Sequence, residues 1–355
     1  MDYEDFKEQF VQGVKDRLAD EGMDVKISVN EVKKLNESYE ALTVTPEGSK
    51  VGVNIPIEKC YEAMDDGRSF TEVMDKAVEM AVNGLDDSPQ INMAELTDYS
   101  KVKEKLAMEV VSAEANSEML ETVPHRNIED MAVVYRIMLD SFDDRTASVL
   151  ITNNLMDSLG VTAEQLHADA MENAPLIRPL QIKGMSEIMA EMMGVDQAMM
   201  MGVFPVEPEE EQMYVATVPD KLHGAGVLAY QDFMEKAAER AGGDFFILPS
   251  SIHELLIVPD TGEMDLKGLE SMVREINATQ VLPADKLTDN VYHYDSKEKI
   301  FELGEKFVER QNQREETAEK EEKPSILDEL KVKKEEASKT PRKAAEKGEK
   351  DERGI

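Results

Sequence analysis

Residues 242–258 read GGDFFILPSSIHELLIV. Two apolar runs, FFILP and HELLIV, are joined through Ser250-Ser251-Ile252 and read as a pair of short strands. Gly242-Gly243 stops a preceding helix, 231–241, whose Phe233, Met234, Ala237, Ala238 and Ala241 recur at helical spacing. Upstream, strands at 213–218 and 225–229 flank a PDKLHG turn. Downstream, Leu266, Leu269, Met272, Val273 and Ile276 mark a helix over 266–276 with Asn277 as its cap, and NVYHYD supplies a last strand. This β-β-α-β-β-α unit, 213–300, is read as part of an α+β fold with antiparallel sheets flanked by helices.

Working outward, residues 3–20 place Tyr3, Phe6, Phe10, Val14 and Leu18 on one helix face, and Gly22 stops the helix. Val25, Ile27 and Val29, then Leu42 and Val44, then Val51, Val53, Ile55 and Ile57 alternate as three strands with one buried face. Ser69 and Glu72 form a capping box that opens a second amphipathic helix. The segment 1–95 is thus an α-β-β-β-α lobe. The segment 96–184 reads as a helix near 98–116, a strand at 131–139, a turn at Asp140–Arg145, a paired strand TASVLIT and a helix opened by Thr162 and Gln165. Ala147-Ser148-Val149-Leu150 lines up with Ala225-Gly226-Val227-Leu228, which suggests a duplicated β-β-α unit. Residues 185–212, rich in Met and Glu, read as an insert or linker. They also have the composition of an adaptable binding surface. The whole is an α+β protein of three small lobes, antiparallel sheets flanked by helices, with a charged helical-to-disordered tail over 301–355.

The chain has 355 residues, 75 acidic against 40 basic, and a formal net charge of -35. Residues 311–355 hold 13 acidic and 12 basic side chains, so the body carries nearly all of the imbalance. Such a body is a poor general binder of nucleic acid, whose affinity rests on Lys and Arg displacing counterions. A single cysteine, Cys60, excludes a disulfide framework and a Cys-rich zinc site. No secretory signal opens the sequence and no stretch approaches a membrane span, so a cytoplasmic location is expected.

No phosphate-cradling glycine loop, H-E-x-x-H or EF-hand spacing occurs, and no two histidines have ligand-like spacing. Neither a cofactor nor a metal is expected. The densest polar string is Ser250-Ser251-Ile252-His253-Glu254. A triad is disfavoured there, because adjacent side chains on a strand face opposite ways and triads assemble across a fold. His125, Arg126 and Asp130 form a second polar group at a predicted sheet edge, read as an anion site or, in preference, as ion pairing that holds a loop. In the tail, Ser325, Ile326, Leu327 and Leu330 make a one-sided helix turn, a candidate docking motif.

The strings PHRNIEDMAVVYRIML, NNLMDSLGVTAEQLHADAMENAP and FFILPSSIHELLIVP resemble a bacterial family, domain of unknown function 5688, found in gut anaerobes and mobile elements. The likeness covers about residues 1–295, and the Met-rich insert departs from it. GAGVLAY, GGDFFILPSS and ELLIV are more distantly similar to domain of unknown function 1444. PSILDEL is similar to tails of other mobile-element proteins, which supports docking. Neither family implies an activity residue by residue.

Three functions follow as expectations. The leading one is a protein-binding or accessory factor that acts through contacts, its partner possessing basic surface. The second is a hydrolase with a site near His125, Ser251 and His253. The third is an acidic nucleic-acid mimic that binds a basic protein.

Overall fold

The computed structural model describes residues 1–49, 51–86, 93–139, 147–194, 206, 210–262, 265–322 and 334. Residues 1–304 form one compact unit and residues 305–355 a second.

The chain opens with α1 (Tyr3–Asp20), β1 (Val25–Lys34), β2 (Glu37–Pro46), β3 (Val53–Pro56), α2 (Ile57–Asp65) and α3 (Phe70–Asp86). The strands form an antiparallel sheet in the order β1-β2-β3. The predicted stripe is the buried one: Phe6, Phe10, Val14 and Leu18 pack with Leu42, Val44 and Ile55 of the sheet and Val73, Ala77 and Ala81 of α3. The capping box forms as read, with the Ser69 backbone N–H donating to Glu72 Oε2 at 2.8 Å. Cys60 lies half-buried in α2, and burial pushes its thiol up to about 11, which makes it a poor nucleophile.

Next come the short helices α4 (Met93–Leu96) and α5 (Tyr99–Val102), β4 (Leu106–Ser112), α6 (Ser117–Leu120), β5 (His125–Ile128), β6 (Met131–Met138), β7 (Ser148–Leu150), α7 (Asn153–Leu159) and α8 (Ala163–Ile177). The helix expected near 98–116 is corrected. After α5 and a 3-10 turn at Lys103–Lys105 the chain becomes β4, buried through Leu106–Val111. A strand covered on both faces shows no alternation, so its apolar run was not distinguishable from a helix. β4 and β5 flank β6, and β7 pairs with the far end of β6. Thr162 caps α8 by accepting from the Gln165 N–H at 3.2 Å.

The remainder comprises β8 (Gln181–Gly184), α9 (Met185–Met193), β9 (Tyr214–Thr217), a 3-10 helix (Gly224–Ala229), α10 (Phe233–Ala241), β10 (Phe245–Ser251), β11 (Glu254–Pro259), α11 (Leu266–Thr279), β12 (Tyr292–Asp295) and β13 (Ile300–Leu303). These strands form an antiparallel sheet in the order β13-β12-β10-β11-β9-β8. The first part of the Met-rich segment is α9; residues 195–205 and 207–209 lie outside the described residues. The strand expected over 225–229 is the 3-10 helix instead. Its backbone lies so close to β4 that a Cβ on Gly226 would run into the Met108 carbonyl oxygen, and it sends Ala225, Val227 and Leu228 into the core. Ala147–Leu150 and Ala225–Leu228 therefore have different conformations, and the duplicated β-β-α unit is not present.

One hydrophobic core joins the four- and six-stranded sheets, with Met108, Val133 and Tyr135 packed among residues that include Tyr214, Phe245 and Tyr292. The first lobe attaches through its hairpin tip. Asn36, in the left-handed region at φ 57°, donates from Nδ2 to the carbonyls of Ala284 (3.0 Å) and Lys286 (2.7 Å), and its backbone N–H donates to Asn116 Oδ1 at 2.8 Å. The helix α12 (Gly304–Glu322) begins at the last residue of the first unit and continues into the second; the tail motif Ser325, Ile326, Leu327 and Leu330 lies outside the described residues.

The close approach at Gly226 yields a stability test. Gly226→Ala is expected to cost about 1–3 kcal/mol in urea unfolding, because the added methyl meets backbone rather than a yielding side chain. At Gly268, exposed in α11, a Cβ meets only ordinary contacts with Asp265. Gly268→Ala should instead be neutral or stabilising by up to about 1 kcal/mol.

Candidate functional site

The most elaborate polar arrangement begins at Glu109, a lone carboxylate in β4 that is 1% exposed. Period-two geometry puts Glu109 on the sheet face shared by Arg136 and His125, since His125 and Glu109 both register with Val134 on β6. Arg136 Nε donates to Glu109 Oε2, and its Nη1 donates to the Ser148 hydroxyl at 3.0 Å. The other carboxylate oxygen, Oε1, is in direct contact with His223 Nδ1. Burial is the largest single influence on Glu109 and opposes its ionisation. The His223 contact and the Arg136 charge together outweigh it and hold the carboxyl below the usual glutamate range.

His223 itself has φ 49°, a conformation uncommon for a residue with a side chain, and immediately precedes the 3-10 helix. Its backbone N–H donates to His253 Nδ1 at 3.1 Å, and the two rings lie 5.5 Å apart. Since His253 Nδ1 accepts, the neutral ring carries its proton on Nε2, which faces Asp285 Oδ1 at 3.3 Å. The Ile252 N–H donates to the Asp285 carbonyl at 2.8 Å, which ties this turn to the segment 282–290.

The same segment lines a cleft of about 500 Å³ bordered by Asn36, Glu114, Asp130, Lys286, Thr288 and Asp289. Asp130 accepts from the Thr288 hydroxyl at 3.0 Å, from Asn290 Nδ2 at 2.9 Å and from the Tyr292 hydroxyl. Burial and that carboxylate push the Tyr292 hydroxyl far up, so it remains a donor.

The residues singled out by sequence are thus dispersed. Ser251 and His253 meet in one turn, where Ser251 Oγ accepts the His253 backbone N–H at 3.0 Å. Glu254 pairs with Ser251 across the β10–β11 hairpin, and Ser250 lies in β10. His125 and Arg126 are adjacent on β5 and face opposite sides of the sheet. His125 bonds the Val123 carbonyl at 3.1 Å through Nδ1. Arg126 belongs with Tyr135 and His167, whose Nδ1 and hydroxyl lie 2.9 Å apart; burial first, then the Arg126 charge, lowers His167. Sequence reasoning missed Glu109, Arg136 and Asp285, and placed His223 only in a turn. The signal for Glu109 was a single charge inside the apolar run LAMEVV, informative once that run is read as a strand. Among the described residues no cluster of three or more His, Cys, Asp or Glu is suited to a metal ion, and no helix is long and apolar enough to cross a membrane.

The family described as a family of unknown function, DUF5688, matches residues 3–296. The chain belongs to the DUF5688 family. The match takes in every residue of the Glu109–His223–His253 arrangement. No curated protein and no solved structure matches the chain.

The depressed Glu109 carboxyl makes stability pH-dependent. Its contribution is fully present above the ordinary glutamate range, about 4.3, and is lost as pH falls through the lower folded value. At neutral pH Glu109→Gln should cost about 3–5 kcal/mol, because it leaves the Arg136 guanidinium without its charged partner. Urea titrations at decreasing pH should show the gap between the two proteins narrowing. A gap independent of pH contradicts an ionised Glu109.

Proposed function

We propose that this DUF5688 protein is an accessory factor that acts by binding a protein with a basic surface. The observation that carries this reading is the placement of charge. Residues 1–310 hold 62 acidic and 28 basic side chains. Many of the cations are already committed to carboxylates: Lys7 to Glu40 at 2.8 Å, Lys33 to Glu118 at 2.7 Å, Lys59 to Glu37 at 3.0 Å and Lys299 to Glu235 at 2.6 Å. Such pairs remove one charge of each sign and leave the excess of 34 carboxylates in residues 1–310 unchanged, a field that steers cationic partners and repels polyanions. A cytoplasmic setting on a mobile element accords with this reading, and the tail motif at 325–330 is a second contact.

The hydrolase reading at His125, Ser251, His253 and Glu254 is less supported. Both ring nitrogens of His253 face partners other than Ser251, so that imidazole is not directed as a base at the Ser251 hydroxyl, which accepts the His253 backbone N–H. The nucleic-acid mimic is a special case of the binding reading in which the partner binds DNA.

Affinity capture with the full chain, followed by identification of the retained proteins, tests the proposal. Basic proteins should be retained at about 0.1 M salt and released towards 1 M, where the screening length falls from about 10 Å to about 3 Å. Retention of acidic or neutral proteins only, or retention indifferent to salt, would overturn it. Truncation after residue 310 should weaken the same capture if the tail takes part, and leaves the body's contribution measurable by itself.

A further inference from the structure

We propose that α9, with Val206 beside it, is the docking surface for an amphipathic helix with a basic face, supplied by the partner protein. The inference rests on the proposed function and adds the place and the form of the contact. α9 reads MSEIMAEMM, and six of its nine residues are apolar. Met185, Ile188, Met189 and Met192 recur at i, i+3, i+4 and i+7, which puts them along one stripe. Elsewhere in the fold such stripes lie on a core: α8 buries Leu166, Ala170 and Ala174, and α11 buries Leu269 and Val273. No residue of α9 is buried. Met189 keeps 42% of its surface exposed and Met192 81%, the highest value for a large apolar side chain among the described residues.

α9 is nonetheless held in place. It follows β8, the outer strand at one end of the six-stranded sheet. At its start the Met185 N–H donates to the Met213 carbonyl at 2.8 Å, and the Ser186 hydroxyl donates to Glu211 Oε2 at 2.5 Å. Val206, itself 41% exposed, donates its N–H to the same Ser186 hydroxyl at 3.2 Å. These bonds anchor the first turn only. A helix this short is marginal in water unless its apolar stripe is covered. Met side chains are unbranched and deformable, so the stripe can adapt to the side chains of a partner.

Charge selects the occupant. Between residues 185 and 213 the chain has seven acidic residues and no Lys, Arg or His. Lys183 of β8 is paired with Glu191 at 2.5 Å. A second copy of the chain would set this acidic segment against itself, and an anionic lipid surface would be repelled. A helix with one apolar and one basic face meets both demands. Its apolar side chains cover the Met stripe, and its cations meet Glu187 and the acidic residues that follow in the chain.

The full chain, labelled with ¹³C at its methionine methyls, should be titrated with a synthetic Leu/Lys amphipathic helix of about 18 residues, long enough to be helical alone, and with its Leu/Glu counterpart. Saturable shifts of the Met189 and Met192 methyls are expected with the first peptide and none with the second. Met80, 40% exposed on α3, and the buried Met74 should not move. Joint replacement Met189→Gln and Met192→Gln keeps helix propensity. It should weaken peptide binding about tenfold or more, with the melting temperature unchanged. Absence of the shifts, equal shifts at Met80, equal affinity for the two peptides, or a double variant that binds as tightly as the wild type would each overturn the docking site. Movement of the α9 methyls on dilution of the protein alone would make a second copy the occupant, and movement on removal of residues 323–355 would make the tail the occupant; either result overturns the proposal. In the capture experiment, a double variant that retains basic proteins as well as the wild type does contradicts the docking site and leaves the proposed function standing. A wild type that retains none contradicts the proposed function itself.

Discussion

A carboxylate buried in an edge strand governs much of this structure. An ionised group taken from water into a protein interior costs several kcal/mol unless it is paired and hydrogen-bonded. Glu109 meets that demand from two directions. Arg136 reaches it from the neighbouring strand within the same sheet, and His223 reaches it from the 3-10 segment that crosses β4. The second contact draws a loop of the six-stranded sheet onto the four-stranded one. The close backbone approach at Gly226 and the left-handed turn at His223 lie beside it. The apolar core closes between the two sheets, and burial supplies the bulk of the stability.

A second polar tie operates beside the first. Asn36 at the hairpin tip bonds two carbonyls of the 282–290 segment, and Asp130 takes three donors from the end of that segment and from β12. Asp285 in the same segment faces His253. One irregular stretch thus holds the first lobe, the tip of the β5–β6 hairpin and the histidine turn together. Irregular backbone that is fixed by side-chain bonds at both ends is a rigid support, and this explains why residues from three regions of the chain converge around it.

Much of the fold was legible in the sequence where one face is wet. The α1 stripe, the alternating strands of the first lobe, the Ser69 and Thr162 caps and the paired runs FFILP and HELLIV all follow from periodicity and capping chemistry. The failures share a physical cause. β4 is covered on both faces, so it lacks the alternation that distinguishes strand from helix. Gly224–Ala229 is apolar and short, and tertiary packing against β4 rather than local preference sets its conformation. The candidate site was legible only in fragments. His253 and Ser251 were visible because they are adjacent in sequence, yet adjacency on a hairpin turn gave them mutual structural bonds. Glu109, Arg136 and His223 come from distant segments; strand register brings Arg136 beside Glu109, and packing of the 3-10 segment against β4 brings His223 there.

An ionised Glu109 fixes the tautomer of His223. Long-range ¹H–¹⁵N correlation of the imidazole rings tests it most directly, at pH 8, where an ordinary imidazole is neutral. A proton on Nδ1 of His223 and on Nε2 of His253, two opposite tautomers in adjacent rings, is the expected result. A proton on Nε2 of His223 would contradict it.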